Sequence, residues 1–266
     1  MGARVRRHVR LLGVQLRMSL LLAVQYRADF LIEGLVSLFF TVTALVPLFV
    51  VFGERDAVAG WSFGEALVVT GFFTLLGGVL EGAINPSLGI VVDHIRKGTL
   101  DLVLMKPVDA QFLMSTQRFL PWRMTALPAA LVIFAYAFGE LGRGPSLGEI
   151  AAAIALVLAA VLILYSLWIM VVSAAFYVVR VDNLTFLFSS IFDAARWPAS
   201  VFRGVLAFVF TFVIPLALMT TYPAEALLGR IDVGRVVLAL GGAVVFAALA
   251  RRVWLRALGR YTSAGG

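Results

Sequence analysis

The sequence predicts an all-helical integral membrane protein of six spans, and three observations predict it. Of 266 residues, 62% are hydrophobic and 14% charged, against roughly 45–50% and 25% in a soluble domain. Mean hydropathy is +1.00, and the apolar residues fall in blocks long enough to cross a hydrocarbon core, which takes about 20 helical residues. The arginines gather at the ends of those blocks, as the flanks of membrane spans do. With so little charge a soluble fold could not cover its own surface, whereas a lipid-facing one can.

The whole chain, 1–266, reads as one membrane domain. Residues 3–27 open it. Arg6, Arg10 and Arg17 fall close together on a helical wheel, with Val5, Val9, Leu12, Leu16 and Leu20 largely opposite. That pattern suits a helix lying in the membrane interface. A secretory signal is disfavoured, because the apolar run 20–24 is short and no small-residue cleavage site follows. The first span is 30–52, with Pro47 near its outer end, and a polar loop over 53–61 follows. The second span, 63–91, carries Glu81, and Asn85-Pro86 should kink its inner half. The one long polar segment is 93–123. The third span is 124–141, a tight turn occupies 142–146, and the fourth span, 150–179, ends at Arg180-Val181-Asp182-Asn183.

Two readings of 184–228 stay open. Hydropathy alone selects a crossing at 204–221. The alternative crosses at 184–201, leaving 202–228 as a re-entrant hairpin broken by Pro215 and Pro223. In that case Asp193 and Arg196 would lie at membrane depth, three apart on a helix, where they could pair. The last span is 233–250, followed by Arg251, Arg252, Arg256 and Arg260. Both ends of the chain and the 93–123 loop hold most of the basic residues, which places both termini in the cytoplasm. Trp61, Trp122, Trp197 and Trp254 fit an interfacial aromatic belt.

Much chemistry is missing. There is no cysteine, and the two histidines, His8 and His94, lie far apart, so no metal site is expected. No phosphate loop occurs, so ATP is not bound by that route. The carboxylates Glu33, Glu65, Glu81, Asp93 and Asp193 are scattered one per segment, unlike the clusters of lipid-phosphate enzymes. The net charge of +7 is explained by topology and anionic lipid, not nucleic acid. Glu81 is the ionisable group of interest within a span. It faces a translocation path or subunit interface, or it hydrogen-bonds a neighbouring span, and Asn85 lies four residues on. Gly78 and Gly82 form a G-x-x-x-G, read as close helix packing, within the chain or between two copies.

The most informative stretch is His94-Ile95-Arg96-Lys97-Gly98-Thr99-Leu100-Asp101-Leu102-Val103-Leu104-Met105-Lys106-Pro107-Val108-Asp109. Basic residues end the second span, Gly98 permits a turn, and Leu100, Leu102 and Leu104 alternate with Asp101 and Val103. Pro107 breaks the run. Asp109 can cap a short helix from Ala110 through Phe112 and Ser115 to about Phe119.

This pattern, R-K-G-T-L-D-x-x-L-x-K-P-V-x-x-x-F, resembles the loop between the second and third spans of the ABC-2 type permeases. The resemblance extends to the N-terminal helix and to the block Arg196-Trp197-Pro198-Ala199-Ser200-Val201-Phe202 with Val213-Ile214-Pro215-Leu216 and Tyr222-Pro223-Ala224. It implies a permease subunit of an ATP-driven exporter in a bacterial inner membrane. It implies a second permease, identical or homologous, and two copies of a cytoplasmic ATPase that hold the ATP and Mg. This chain would bind no cofactor and would not itself be an enzyme. The resemblance makes the loop the docking site: Arg96, Lys97, Gly98, Leu100, Asp101, Leu102, Leu104, Lys106, Pro107 and Phe112. It puts Pro198, Pro215 and Pro223 at the exit gate, and it favours the 184–201 crossing. The rival class is a secondary carrier or a lipid-processing membrane enzyme. An internal repeat or a carboxylate cluster would favour it, and the sequence carries neither.

Overall fold

A computed structural model describes residues 2–25, 27–177 and 182–261. Helix α1 (Gly2–Gln25) precedes α2 (Arg27–Gly53), and a two-residue-per-strand hairpin pairs Val58 with Trp61. Helix α3 (Phe63–Val79) continues through a π-turn, Leu80–Ile84, into α4 (Asn85–Arg96). Two short helices follow, α5 (Asp101–Leu104) and α6 (Ala110–Ser115). A 3-10 turn, Pro121–Thr125, leads into α7 (Ala126–Leu141). Then come α8 (Leu147–Ser173), α9 (Asp182–Asp193), α10 (Gly204–Phe208), α11 (Tyr222–Leu227) and α12 (Val233–Leu258). Among the described residues, five stretches are long and apolar enough to cross a membrane: Gly34–Gly53, Phe63–Arg96, Pro121–Leu141, Leu147–Phe176 and Val233–Leu258. The chain is thus a multi-pass membrane protein. The predicted inner end of the fourth span, 178–181, lies outside the described residues.

The second span shows why its sequence folds as it does. Ser62 and Glu65 form a capping box at its start. Near its middle, Pro86 has no N–H to give the carbonyl four residues back. The backbone absorbs this with the π-turn over Leu80–Ile84, and the Gly82 carbonyl accepts instead from Leu120 N at 2.8 Å. At the far end of α7, Gly142 takes a left-handed conformation (φ 63°) that stops the helix. Ser146 and Glu149 then cap α8, and Arg143 holds Glu149 at 3.1 Å.

The two ends of the bundle are distinct: a turn end, carrying 142–146, and a loop end, carrying 97–120. Helices α8 and α12 run parallel between them. At the turn end, Gly229 abuts the Glu149 side chain, while at the loop end the Phe176 and Trp254 rings meet edge to face at 5.7 Å. The chain between these helices must therefore return once from the loop end to the turn end. It does so beside α3: Phe192 stacks on Phe73 at 5.2 Å, and Trp61 Nε1 donates to Ser200 Oγ at 3.1 Å. This leg is no single long helix. Helix α9 has 12 residues, about 18 Å, and is followed by 3-10 turns at Ala194–Arg196 and Ala199–Val201.

Residues 204–227 then enter and leave the bundle on the same side. The helix breaks at Ile214, whose φ of −123° and ψ of 86° precede Pro215. Leu216 and Met219 reach Leu164, Leu167, Trp168 and Phe192, and Leu228 returns to the cluster around Trp61. The 204–221 stretch that hydropathy selects is thus a broken helix. Side chains satisfy the exposed backbone: Thr220 Oγ1 donates to the Ala195 carbonyl at 2.8 Å, and Ala199 N donates to Thr221 Oγ1 at 3.0 Å.

The aromatic-belt expectation needs correction. Trp254 is 1% exposed and Trp61 5%, so both are core residues. Trp254 faces inward because α12 packs that side against α8, and Trp61 because the hairpin before α3 packs against the returning leg.

Candidate functional site

Two regions carry chemistry that packing does not use up. The first is the polar segment at the loop end. Helix α4 closes with His94 and Arg96 in its last turn, and Gly98 adopts φ 64°, a left-handed turn that only glycine takes easily. The ring of His94 meets Thr99 Oγ1 at 2.7 Å. The alternation expected of Leu100, Leu102 and Leu104 does not materialise, because 101–104 is a helical turn and not extended. That turn rotates Leu100 (0% exposed) and Val103 (4%) into the core. Leu100 is therefore not a surface contact, contrary to the sequence expectation. Leu102, Leu104 and Met105 are instead 59%, 38% and 73% exposed. Arg96, Lys97, Lys106 and Pro107 are exposed beside them, and Asp101 is half-buried.

Asp109 caps α6, accepting from Phe112 N at 3.0 Å. The helix ends at Ser115, shorter than expected, where Thr116 leaves the helical region. Phe112 is half-buried, with the His8 ring of α1 edge-on at 4.5 Å. Sequence reasoning missed the other partner of Asp109. Arg251, near the end of α12, closes two bonds on the carboxylate, at 2.5 and 3.2 Å, and a third on Gln111 Oε1 at 2.7 Å. The rest of the segment is tied as well: Ser87 Oγ donates to the Arg118 carbonyl at 2.6 Å and accepts from Arg118 N at 3.0 Å, and Phe119 N donates to Ser19 Oγ at 3.2 Å.

Burial pulls the Asp109 carboxyl up, but the Arg251 hydrogen bonds, the Phe112 amide and the arginine charge outweigh it and hold it below the ordinary 3.8. A carboxyl lowered in the folded state contributes stability above its unfolded value and loses it as pH falls through the folded one. The Asp109–Arg251 contribution is then complete at neutral pH and fades only below the ordinary carboxylate value. Asp109→Asn should melt slightly below wild type at about pH 7, and the gap should narrow as pH falls below the ordinary carboxylate value. Melting curves of both proteins across that range check this.

The second region is a hollow of about 450 Å³ between α2, α3, the 121–125 turn and α9. Its lining mixes aromatic Phe40 and Phe73 with Glu81, Arg123, Asp193 and Arg196. Asp193 and Arg196 share this space without closing the ion pair their spacing allows, and the Arg196 guanidinium lies over the Phe73 ring, 5.1 Å from its centre. Glu81 sits in the π-turn, a backbone feature frequent at functional sites. It accepts from Asn85 Nδ2 at 2.7 Å, and Asn85 in turn accepts from Trp168 Nε1 of α8. Gly78 also lines the hollow, but it and Gly82 press against Ala126 and Met124 of the same chain.

The prolines fall in neither region. Pro198 separates two 3-10 turns, Pro215 marks the break in the inserted segment, and Pro223 starts α11; all three are buried. No group of three or more His, Cys, Asp or Glu side chains that could hold a metal occurs among the described residues.

The family model described as ABC-2 family transporter protein matches residues 38–265. No curated protein and no solved structure matches the chain.

Proposed function

Because the chain belongs to the ABC-2 family of transporter proteins, we propose that it is the permease subunit of an ATP-driven exporter. A separate cytoplasmic ATPase, in two copies, hydrolyses the ATP, and a second permease, identical or homologous, completes the membrane part. In this reading the loop end is cytoplasmic, 184–201 is the fifth of six crossings, and 202–228 is a re-entrant hairpin by the exit.

The observation that carries the reading is the short α5 turn. It presents Leu102, Leu104 and Met105 to solvent, ringed by Arg96, Lys97 and Lys106. An exposed apolar cluster with a basic rim, held on ordered helices outside the membrane, fits a protein contact better than a lipid one. The hollow supports the same reading. Charged groups at membrane depth are costly and face a path or a partner. Gentle-detergent purification of the tagged chain from its native membrane, with mass spectrometry of what accompanies it, tests this. Recovery with a phosphate-loop ATPase is expected. Repeated recovery of the folded chain with no ATPase would contradict it.

Glu81 is assigned to the path. Glu81→Gln keeps the shape and the Asn85 contact but removes the charge. The variant should assemble and melt like wild type while efflux of a panel of fluorescent amphiphilic dyes falls by about ten-fold or more. Undiminished efflux of every dye that wild type exports would remove Glu81 from the path.

A further inference from the structure

Resting on the permease reading, we infer that Arg251 is a positioning residue that makes the docking helices, α8 and α12 move as one body. Two elements far apart in sequence, α6 and α12, meet at its guanidinium, and α8 joins them through Tyr165. The guanidinium holds Asp109 at both oxygens and Gln111 as well. Gln111 Nε2 donates to the Tyr165 hydroxyl at 3.0 Å, and Ser115 Oγ meets the same hydroxyl at 2.7 Å. Helix α6 is thereby fixed to α12 through one residue and to α8 through another.

The energetics argue for geometry over stability. The Arg251 and Asp109 side chains are 41% and 37% exposed, and ion pairs that open contribute little to folding. A bidentate arginine nonetheless fixes orientation as well as distance, which a lysine or a single hydrogen bond does not. The link also continues. One turn along α8 from Tyr165, Trp168 donates to Asn85, which donates to Glu81 at the hollow. Displacement of the α5–α6 segment thus reaches the hollow through α8, a rigid helix with one partner set on each side of a single turn. Without Arg251, α6 is left hinged on its loops and its motion is not passed on.

A chain without cysteine allows this to be measured with spin labels at Gln117→Cys and Leu255→Cys, both exposed. The sample is the complex with its co-purified ATPase. With Arg251 intact, the distance is expected to stay a single narrow peak, unchanged between nucleotide-free and vanadate-trapped states. In Arg251→Gln the narrow peak should be lost or should shift with nucleotide. Asp109→Asn, which still caps α6, should behave like Arg251→Gln, and the double variant should be no worse than either. A narrow, nucleotide-independent peak in Arg251→Gln would overturn the inference, as would an effect of Asp109→Ala with none of Asp109→Asn, since Asp109 would then be only a cap. Failure of the permease reading shows separately and earlier, as the absence of any ATPase in the purified complex, and it removes the inference too.

Discussion

Trp168→Ala should be the most damaging single substitution near the hollow, lowering the melting temperature on the order of 10 °C. The indole is 2% exposed in the middle of the larger apolar cluster. Truncating a buried tryptophan costs about 3–5 kcal/mol, from lost burial and the cavity left behind. A second loss is polar. Asn85 Oδ1 accepts from the indole N–H, and an amide oxygen stranded away from water costs about 1–3 kcal/mol. Trp168→Phe separates the two, since it fills most of the space but has no donor. It should fall between wild type and Trp168→Ala. Asn85 would then lose the partner that orients it toward Glu81, so Trp168→Phe should also lower dye efflux, an effect that a purely packing role would not produce. Thermal melting of the three proteins in one detergent, with efflux alongside, checks both parts.

Gly78→Leu should come second. A Cβ at Gly78 would sit 2.9 Å from the Ala126 Cβ, so close that something must move. Alanine has no side chain to swing aside, so α3 and α7 must separate along their shared seam. Overpacking of this kind costs about 1–3 kcal/mol, and small residues at such seams are what let membrane helices approach closely. Gly82 makes a matched control. Its Cβ would also lie 2.9 Å from a neighbour, but that neighbour is Met124 Cγ, part of a flexible chain. Gly78→Leu should therefore melt well below wild type, and of the matched pair Gly78→Ala and Gly82→Ala only the first should fall clearly below it. Equal behaviour of that pair would remove the distinction.

These residues also mark how far the sequence could be read. The long spans were legible because lipid demands about 20 apolar residues in a row and leaves basic ones at the ends. The disturbance at Asn85-Pro86 was legible too, since proline removes a donor wherever it stands. Its form was not. Placing the irregularity over Leu80–Ile84, with Leu120 N taking over the Gly82 carbonyl, depends on a residue dozens of positions away. The Asp109 cap was readable from local spacing, but Arg251 was not, because its place among the C-terminal arginines is explained by topology alone. Leu100 was misjudged for a local reason. A four-residue helix and an extended run offer the same letters, and only the helix turns Leu100 inward with Val103. The 182–228 region resisted for a third reason. Its apolar residues face protein on several sides and dip back toward the side they entered, so hydropathy registers apolar content and not the path.

The most direct test of the central claim, that the exposed face of α5 carries the chain's ATPase, is the amount of ATPase recovered with a Leu102→Asp, Leu104→Asp variant. Both side chains are exposed, so a folded variant is expected, with an unchanged melting curve and elution volume. The claim predicts that the ATPase present with wild type is lost from the variant, while any second permease stays. A well-folded variant that retains its full complement of ATPase would contradict it.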